Sequence, residues 1–213
     1  LQIFDVCFFS VTIYALGRIG PEAIPTLMES LQSDEQQVQK GISKALEIIG
    51  PVAAPTLFEA LYDENQNVRQ GSLYALANLR IAVSAIPNLV EFLNDENEDI
   101  RKAAASVLGE MGADAQVIVP ELIESLQDQS AAVRAMAVLS LGKIGITTSD
   151  VLSAVVNMTE DKNPEVRLNS VVVLGVIGNR DSSVFPALIS ALDDTQTDEM
   201  RAAAIYALGQ VGE

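Results

Sequence analysis

The chain has 213 residues, 49% of them hydrophobic, and a formal net charge of −16. It has no histidine and one cysteine, Cys7, which excludes His-dependent triads, His-ligated metals, thiolate clusters and paired redox cysteines within these residues. The negative charge argues against binding nucleic acid through its phosphates.

A short pattern recurs along the chain, and its clearest form is Leu-Gly-x-Ile-Gly. Its leucines lie 30 to 34 residues apart, at Leu16, Leu46, Leu76, Leu108, Leu141, Leu174 and Leu208. A fixed period of this size predicts a solenoid, in which each repeat buries its apolar face against its neighbours.

The chain begins with an apolar stretch that leads into a lone second helix, which forms a half repeat over 1–20. Asp5 interrupts this stretch, which is shorter than the roughly 18 apolar residues of a membrane-spanning helix. We therefore expect neither a signal peptide nor membrane insertion. The unpaired Cys7 favours a cytoplasmic location, because nothing indicates an oxidising compartment.

Six helix pairs follow the half repeat, at about 21–50, 51–83, 84–112, 113–145, 146–178 and 179–213. No linker separates them, so we predict a single domain over 1–213. Since the chain begins in mid-repeat and ends without a polar capping repeat, we expect it to be part of a longer array. Prolines mark the first helices, at Pro25, Pro55, Pro87, Pro120 and Pro186.

The repeat at 113–145 illustrates the pattern. Residues 115–126 predict a first helix with Pro120 near its first turn, and a polar turn with Ser130 as N-cap follows. A second helix then ends at Gly145. Its predicted core stripe consists of Val133, Ala137, Ser140, Leu141 and Ile144.

This pattern resembles HEAT repeats, and most of all the short HEAT-like repeats of phycobilisome bilin lyases. It consists of a proline, then Leu-x-x-x-Leu-x-Asp, then Val-Arg-x-x-Ala-x-x-Ala-Leu-Gly-x-Ile-Gly. The resemblance implies an all-α, right-handed α-solenoid of about six and a half HEAT-like helix pairs. It also implies a structural ladder of turn aspartates and arginines between neighbouring repeats, namely Asp63, Arg69, Asp95, Arg101, Asp128, Arg134, Asp161 and Arg167.

The resemblance further implies that the second helices line the concave face, where partners bind. Four of the five lysines and three of the four tyrosines lie at positions pointing away from the core stripe. Lysine and tyrosine suit a binding surface, although lysine is also an ordinary solvated helix residue. The candidate partner-binding residues are Tyr14, Arg18, Lys40, Lys44, Tyr74, Lys102, Lys143 and Tyr206, with Leu139, Val172 and Val176 forming an apolar stretch.

Two further features leave alternatives open. The second helix around Val171, Val172 and Val173 is apolar almost all round, which predicts cover by protein beyond this segment, an exposed patch, or tight curvature between repeats. The turns are rich in carboxylates, among them Asp34 and Asp194. These acids either complement helix dipoles or form an acidic edge that attracts a basic partner or loosely held cations.

These observations predict a non-catalytic scaffold that binds a partner protein on its concave face, without a metal or cofactor. The alternative rests on resemblance alone: a subunit of a bilin lyase or phycobilisome-associated factor that handles an open-chain tetrapyrrole. Lys40, Lys44 or Arg18 would then hold the bilin propionates, tyrosines would stack on its rings, and a second HEAT-like subunit would be its partner.

Overall fold

The computed structural model describes residues 13–33, 35–79, 86–178, 181–193 and 196–212. Within these ranges the protein consists of α-helices, short 3₁₀ helices and turns, without a β-strand, which confirms the predicted all-α class. The half repeat is described from residue 13 onward. Cys7 and the turn acids Asp34 and Asp194 lie outside the described residues.

The chain divides into two compact units, Leu1–Asn88 and Leu89–Glu213, called here the N-terminal and C-terminal units. The single domain, the handedness and the concavity stay predictions. The boundary lies within the short helix Ile86–Val90.

The N-terminal unit contains a helical stretch over residues 13–19 and two helix pairs. The pairs are α1 (Ile24–Ser30) with α2 (Gln36–Ile49), and α3 (Ala54–Ala60) with α4 (Gln66–Asn78). The second helices α2 and α4 pack against each other, and each also packs against its own first helix.

The remaining helices follow the same order. They are α5 (Ile86–Val90), α6 (Glu98–Glu110), α7 (Val119–Ser125), α8 (Ala131–Ile144), α9 (Ser149–Met158), α10 (Pro164–Ile177), α11 (Phe185–Ser190) and α12 (Asp198–Gly212). In the C-terminal unit the second helices form a layer in the order α6, α8, α10 and α12, each packed against the next.

The first helices are shorter than the sequence pattern indicates. The expected continuous helix over 115–126 is wrong, because Gly112–Ile118 is a 3₁₀ helix and the α-helix begins at Val119. Pro120 explains the break, since it cannot donate the hydrogen bond of a longer helix and its ring clashes with the preceding turn. Val117, which lies in this 3₁₀ helix, is 66% exposed.

The predicted core stripe of α8 is confirmed. All five of its side chains are buried, namely Val133, Ala137, Ser140, Leu141 and Ile144. The Ser140 hydroxyl donates a hydrogen bond of 2.7 Å to the carbonyl oxygen of Ala105 on α6. Gly145 ends the helix in the left-handed region, with φ 73°, as predicted.

The first glycine of the repeated motif lets neighbouring second helices approach closely. A Cβ atom on Gly109 would lie 2.8 Å from the Cα of Ser140, and one on Gly175 would lie 2.9 Å from the Cα of Ala207. Both contacts are with backbone atoms, which cannot move away as a flexible side chain could. These glycines therefore set the spacing between second helices.

Replacing Gly175 by alanine is expected to lower the free energy of unfolding by about 1–3 kcal/mol, because the added methyl group forces α10 and α12 apart. Gly209 is a matched control in the same motif position, with nothing within 4 Å of an added Cβ. Gly209→Ala should be neutral or stabilise by about 0.5–1 kcal/mol. Urea unfolding monitored by circular dichroism measures both, and equal effects would contradict this account of the glycine column.

Candidate partner-binding surface

The outward side of the second helices carries the predicted binding residues. In the N-terminal unit, Tyr14, Arg18, Lys40, Lys44 and Tyr74 are all exposed. The guanidinium carbon of Arg18 lies 6.0 Å from the centre of the Tyr14 ring, a cation–π contact one helical turn apart. The Lys44 ammonium group forms a 2.8 Å ion pair with Glu47. This unit therefore presents an aromatic and cationic surface.

In the C-terminal unit the lysines of this side are engaged with carboxylates. Lys102, which is half-buried, lies 3.5 Å from Asp99 on the same helix. Lys143 on α8 forms an ion pair with Glu110 on α6. The second pair links neighbouring repeats, and it reduces the positive charge that this surface can offer to a ligand.

Four outward residues of the C-terminal unit, Leu139, Val172, Val176 and Tyr206, are apolar or aromatic, and we call them the apolar patch. Leu139 is half-buried, whereas Val172, Val176 and Tyr206 are 46%, 68% and 69% exposed. Val176 and Tyr206 are the chain neighbours of Gly175 and Ala207, which are in close contact. The patch therefore lies on helices α8, α10 and α12, each of which packs against the next.

The structure distinguishes the sides of the apolar helix α10. Val171 and Val173 are buried, and a Cβ on Gly142 of α8 would lie 2.9 Å from the Val173 side chain. Val172 and Val176 stay exposed. Neighbouring second helices therefore cover part of this apolar helix and leave one apolar stripe uncovered.

The turn residues form the expected ladder in the middle of the C-terminal unit. Arg134 donates from Nε and Nη2 to the two carboxylate oxygens of Asp161 in the next repeat, at 2.7 and 2.8 Å. Its Nη1 donates to the carbonyl oxygens of Asp128 and Gln129 in its own turn, at 2.8 and 3.2 Å. Arg101 makes the same bidentate contact with Asp128, at 2.7 and 2.9 Å.

The other ladder residues make contacts of the same kind within their own turns. Arg69 donates to the carbonyl oxygen of Asp63 at 3.0 Å, and Arg167 donates to that of Asp161 at 2.9 Å. The Asp95 carboxylate accepts the backbone N–H of Asn97 at 2.8 Å. Each arginine thus closes its own turn, and Arg101 and Arg134 also hold the turn of the next repeat.

The ladder alters the acidity of its carboxyl groups. The Arg134 hydrogen bonds lower the pKa of Asp161 despite its burial, with help from the backbone N–H of Asn163 and nearby positive charge. Burial opposes ionisation of Asp128, but the hydrogen bonds from Arg101 and Ser130 and the charges of Arg101 and Arg134 outweigh it, so its pKa is also lowered. Both carboxylates therefore stabilise the folded protein in their ionised form.

Acid should weaken the fold through these two aspartates. Because their folded-state pKa values lie below the unfolded value of about 3.9, their contribution is complete above that pH and is lost as the pH falls through the folded values. We expect the free energy of unfolding to drop below about pH 4, and Asp161→Asn to reduce the size of this drop. Denaturant titrations from pH 7 to pH 2 measure it, and an unchanged pH profile in the variant would contradict the assignment.

The structure reveals helix caps that the sequence analysis did not identify. The side chains of Asn65, Asn97 and Asn163 accept backbone N–H groups at the starts of α4, α6 and α10, at 2.9, 2.8 and 2.9 Å. Ser130 occupies the predicted N-cap position of α8, although its side chain makes no capping hydrogen bond. The recurring Asp-x-Asn before each of the three helices was the available signal.

Within the described residue ranges the protein has neither a metal-binding cluster nor a membrane-spanning helix. No three His, Cys, Asp or Glu side chains come together there as a metal site would require. None of the helices in the described parts of the chain is both long and apolar enough to cross a membrane.

A family model of HEAT repeats matches residues 10–77, 54–119 and 119–209, which together span most of the chain. Among curated proteins, none matches this sequence.

Solved repeat proteins share the fold. The complex of CpcE and CpcF of phycocyanin lyase from a Nostoc species contains a chain that is 24% identical, with a TM-score of 0.65 over 71% of this chain and 98% of that one. A designed armadillo repeat protein in complex with the peptide (KR)4 is 19% identical, with a TM-score of 0.62 over 88% and 99%. Another, designed for modular peptide recognition, is 20% identical, with a TM-score of 0.57 over 95% and 99%.

Proposed function

This chain belongs to the HEAT-repeat family, and we propose that it is a non-catalytic scaffold that binds a partner protein on the outward side of its second helices. The observation that carries the proposal is the apolar patch. Three of its side chains, Val172, Val176 and Tyr206, are 46–69% exposed on adjacent helices. Exposed apolar side chains that cluster in this way are typical of protein interaction sites.

The composition of the surface supports a protein ligand. Tyrosine supplies a large, rigid contact area with a polar group, and it is enriched at protein interfaces. Tyr14 and Tyr74 of the N-terminal unit and Tyr206 of the C-terminal unit are all exposed on second helices. Repeat solenoids commonly use such extended faces to bind partners, and two of the designed proteins with this fold are described as peptide binders.

The test compares partner capture by three variants of the protein in a native lysate of its source. The first carries Tyr14→Ser with Tyr74→Ser, and the second carries Val172→Ser with Val176→Ser. The matched control carries Val117→Ser with Ile189→Ser, because these side chains are 66% and 59% exposed but lie on first-helix elements. Quantitative mass spectrometry identifies the bound proteins, and circular dichroism verifies that each variant is folded.

We expect one of the two surface variants to lose a partner that the wild type and the control retain. Loss from the Val172/Val176 variant would place the partner on the apolar patch, and loss from the Tyr14/Tyr74 variant would place it on the N-terminal unit. Equal capture by all four proteins would overturn the proposal that the second helices carry the binding site.

The second candidate function is the handling of an open-chain tetrapyrrole with a paired HEAT-like subunit. Its support is the cationic surface of the N-terminal unit, where Arg18 lies over Tyr14 and Lys40 is exposed, together with the shared fold of the phycocyanin lyase complex. Co-production with a bilin should then leave visible absorbance on the purified protein. Colour that Lys40→Gln and Arg18→Gln together abolish would favour this function over the scaffold, and a protein that stays colourless when a paired HEAT-like subunit is also present would exclude it.

A further inference from the structure

The apolar patch lies next to carboxylates on the same helical faces. On α10, Glu165, Leu168, Val172 and Val176 are separated by three, four and four residues, which places them along one face. On α12, Glu199 and Tyr206 have the same seven-residue separation as Glu165 and Val172. Seven residues correspond to a rise of about 10 Å along a helix. Val172 and Tyr206 therefore each have a carboxylate about 10 Å away, toward the start of their helix.

The charge beside the patch is strongly negative. Glu165 and Glu199 are exposed, and no ion pair to either occurs among the described residues. The turns that precede α10 and α12 add further exposed carboxylates, Glu160 and Asp193, against one exposed lysine, Lys162. Asp198 is also exposed, and it is paired with Arg201 on its own helix. The surface thus combines an apolar stripe with an acidic border, in which Glu165 and Glu199 have no ion pair among the described residues.

Resting on the proposed function, we propose that the apolar patch binds a segment of a partner protein that carries both apolar and basic side chains. The apolar side chains of the segment cover Val172, Val176 and Tyr206, and its lysines or arginines lie about 10 Å away, against Glu165 and Glu199. Covering the patch removes apolar surface from water, and opposite charges at the border fix the orientation of the segment and speed its association.

Charge complementarity also favours this occupant over a second copy of the same chain. Two copies with a net charge of −16 each repel one another. Two lysines of the unit are engaged with its own acids, since Lys143 is paired with Glu110 and Lys102 with Asp99. A copy of this chain has no exposed basic stripe in the described residues of its C-terminal unit to place against Glu165 and Glu199.

Three synthetic peptides of equal length test the proposal: an amphipathic helix of Leu and Lys, the same helix with Glu in place of Lys, and a Ser/Lys peptide without apolar residues. Fluorescence anisotropy measures their binding to the whole protein at ionic strengths of about 0.05 M and about 0.15 M. We expect the Leu/Lys peptide to bind at least about ten-fold more tightly than either of the others.

Two surface variants and two matched controls locate the site. Val172→Ser with Val176→Ser should weaken Leu/Lys binding about ten-fold. Glu165→Gln with Glu199→Gln should weaken it about three- to ten-fold and flatten its salt dependence. The controls are Val117→Ser with Ile189→Ser, and Asp114→Asn with Glu124→Gln, which change exposed side chains on first-helix elements. Binding should be unaffected in both controls.

Two results would overturn the inference in different ways. If the Leu/Glu peptide binds as tightly as the Leu/Lys peptide and loses affinity when Val172 and Val176 are changed, the patch binds partners but does not select basic ones, and the proposed function stands. If the controls weaken Leu/Lys binding as much as the surface variants do, the protein attracts basic peptides without a site on the patch. Unchanged partner capture by the Val172/Val176 variant would then remove the patch from the proposed function as well.

Discussion

Leu141→Ala is expected to lower the free energy of unfolding by about 2–5 kcal/mol, the largest effect of any single core substitution proposed here. The Leu141 side chain is 1% exposed and lies in α8, which packs against α6 on one side and α10 on the other. Its removal leaves a cavity that neighbouring helices cannot close without moving. Urea unfolding at equilibrium measures the loss.

Leu139→Ala is the matched control for this prediction. It makes the same substitution two residues away on the same helix, but Leu139 is half-buried and faces outward. Its cost should be clearly smaller, because less apolar surface returns to water and no closed cavity forms. Equal losses from the two variants would show that the assignment of the core and outward faces of α8 is wrong.

Arg134→Met should destabilise the protein by about 3–5 kcal/mol, because it leaves the carboxylate of Asp161 buried without its cation. The side chains of Arg134 and Asp161 are 5% and 7% exposed. Methionine keeps much of the arginine side-chain volume while it removes the charge and all four hydrogen bonds of the guanidinium group. Thermal and urea unfolding of the variant measure the effect.

A control and a double variant separate the charge effect from lost packing. Lys102→Met breaks a partly exposed ion pair and should cost no more than about 1 kcal/mol. Arg134→Met combined with Asp161→Leu removes both buried charges, and the loss should be smaller than the sum of the two single losses. Strictly additive losses would indicate that the pair has no energetic coupling and that the ladder does not act through charge.

The sequence pattern predicted the repeats well because their signals are local and repeated. The period of the leucines located the second helices, and the stripe around Val133 and Leu141 identified their buried face. First helices were predicted less accurately, since the α-helix begins only one residue before Pro120 and the residues before that form a 3₁₀ helix. Periodicity alone does not distinguish the two helix types over so short a segment.

The ladder, too, was predicted only in part from the sequence. The alternation of turn aspartate and arginine was visible in every repeat from Asp63 onward, and the resemblance to HEAT repeats implied contacts between repeats. The structure shows in addition that Arg134 binds two turns at once, with Nη1 on its own turn and Nε and Nη2 on Asp161. One guanidinium group can do this because its donors point in fixed, different directions.

The sequence by itself determined the fold class and the buried face of each second helix, because both follow from the spacing of apolar residues along a helix. Only the tertiary structure decided which apolar residues stay exposed. Val171, Val172 and Val173 are identical in type, yet neighbouring helices cover the first and third and leave the second in solvent. Burial depends on which side of the helix the neighbours occupy, and the close contact of Gly175 with Ala207 sets that arrangement. The composition of a single helix does not contain this information, since the covering atoms belong to other repeats.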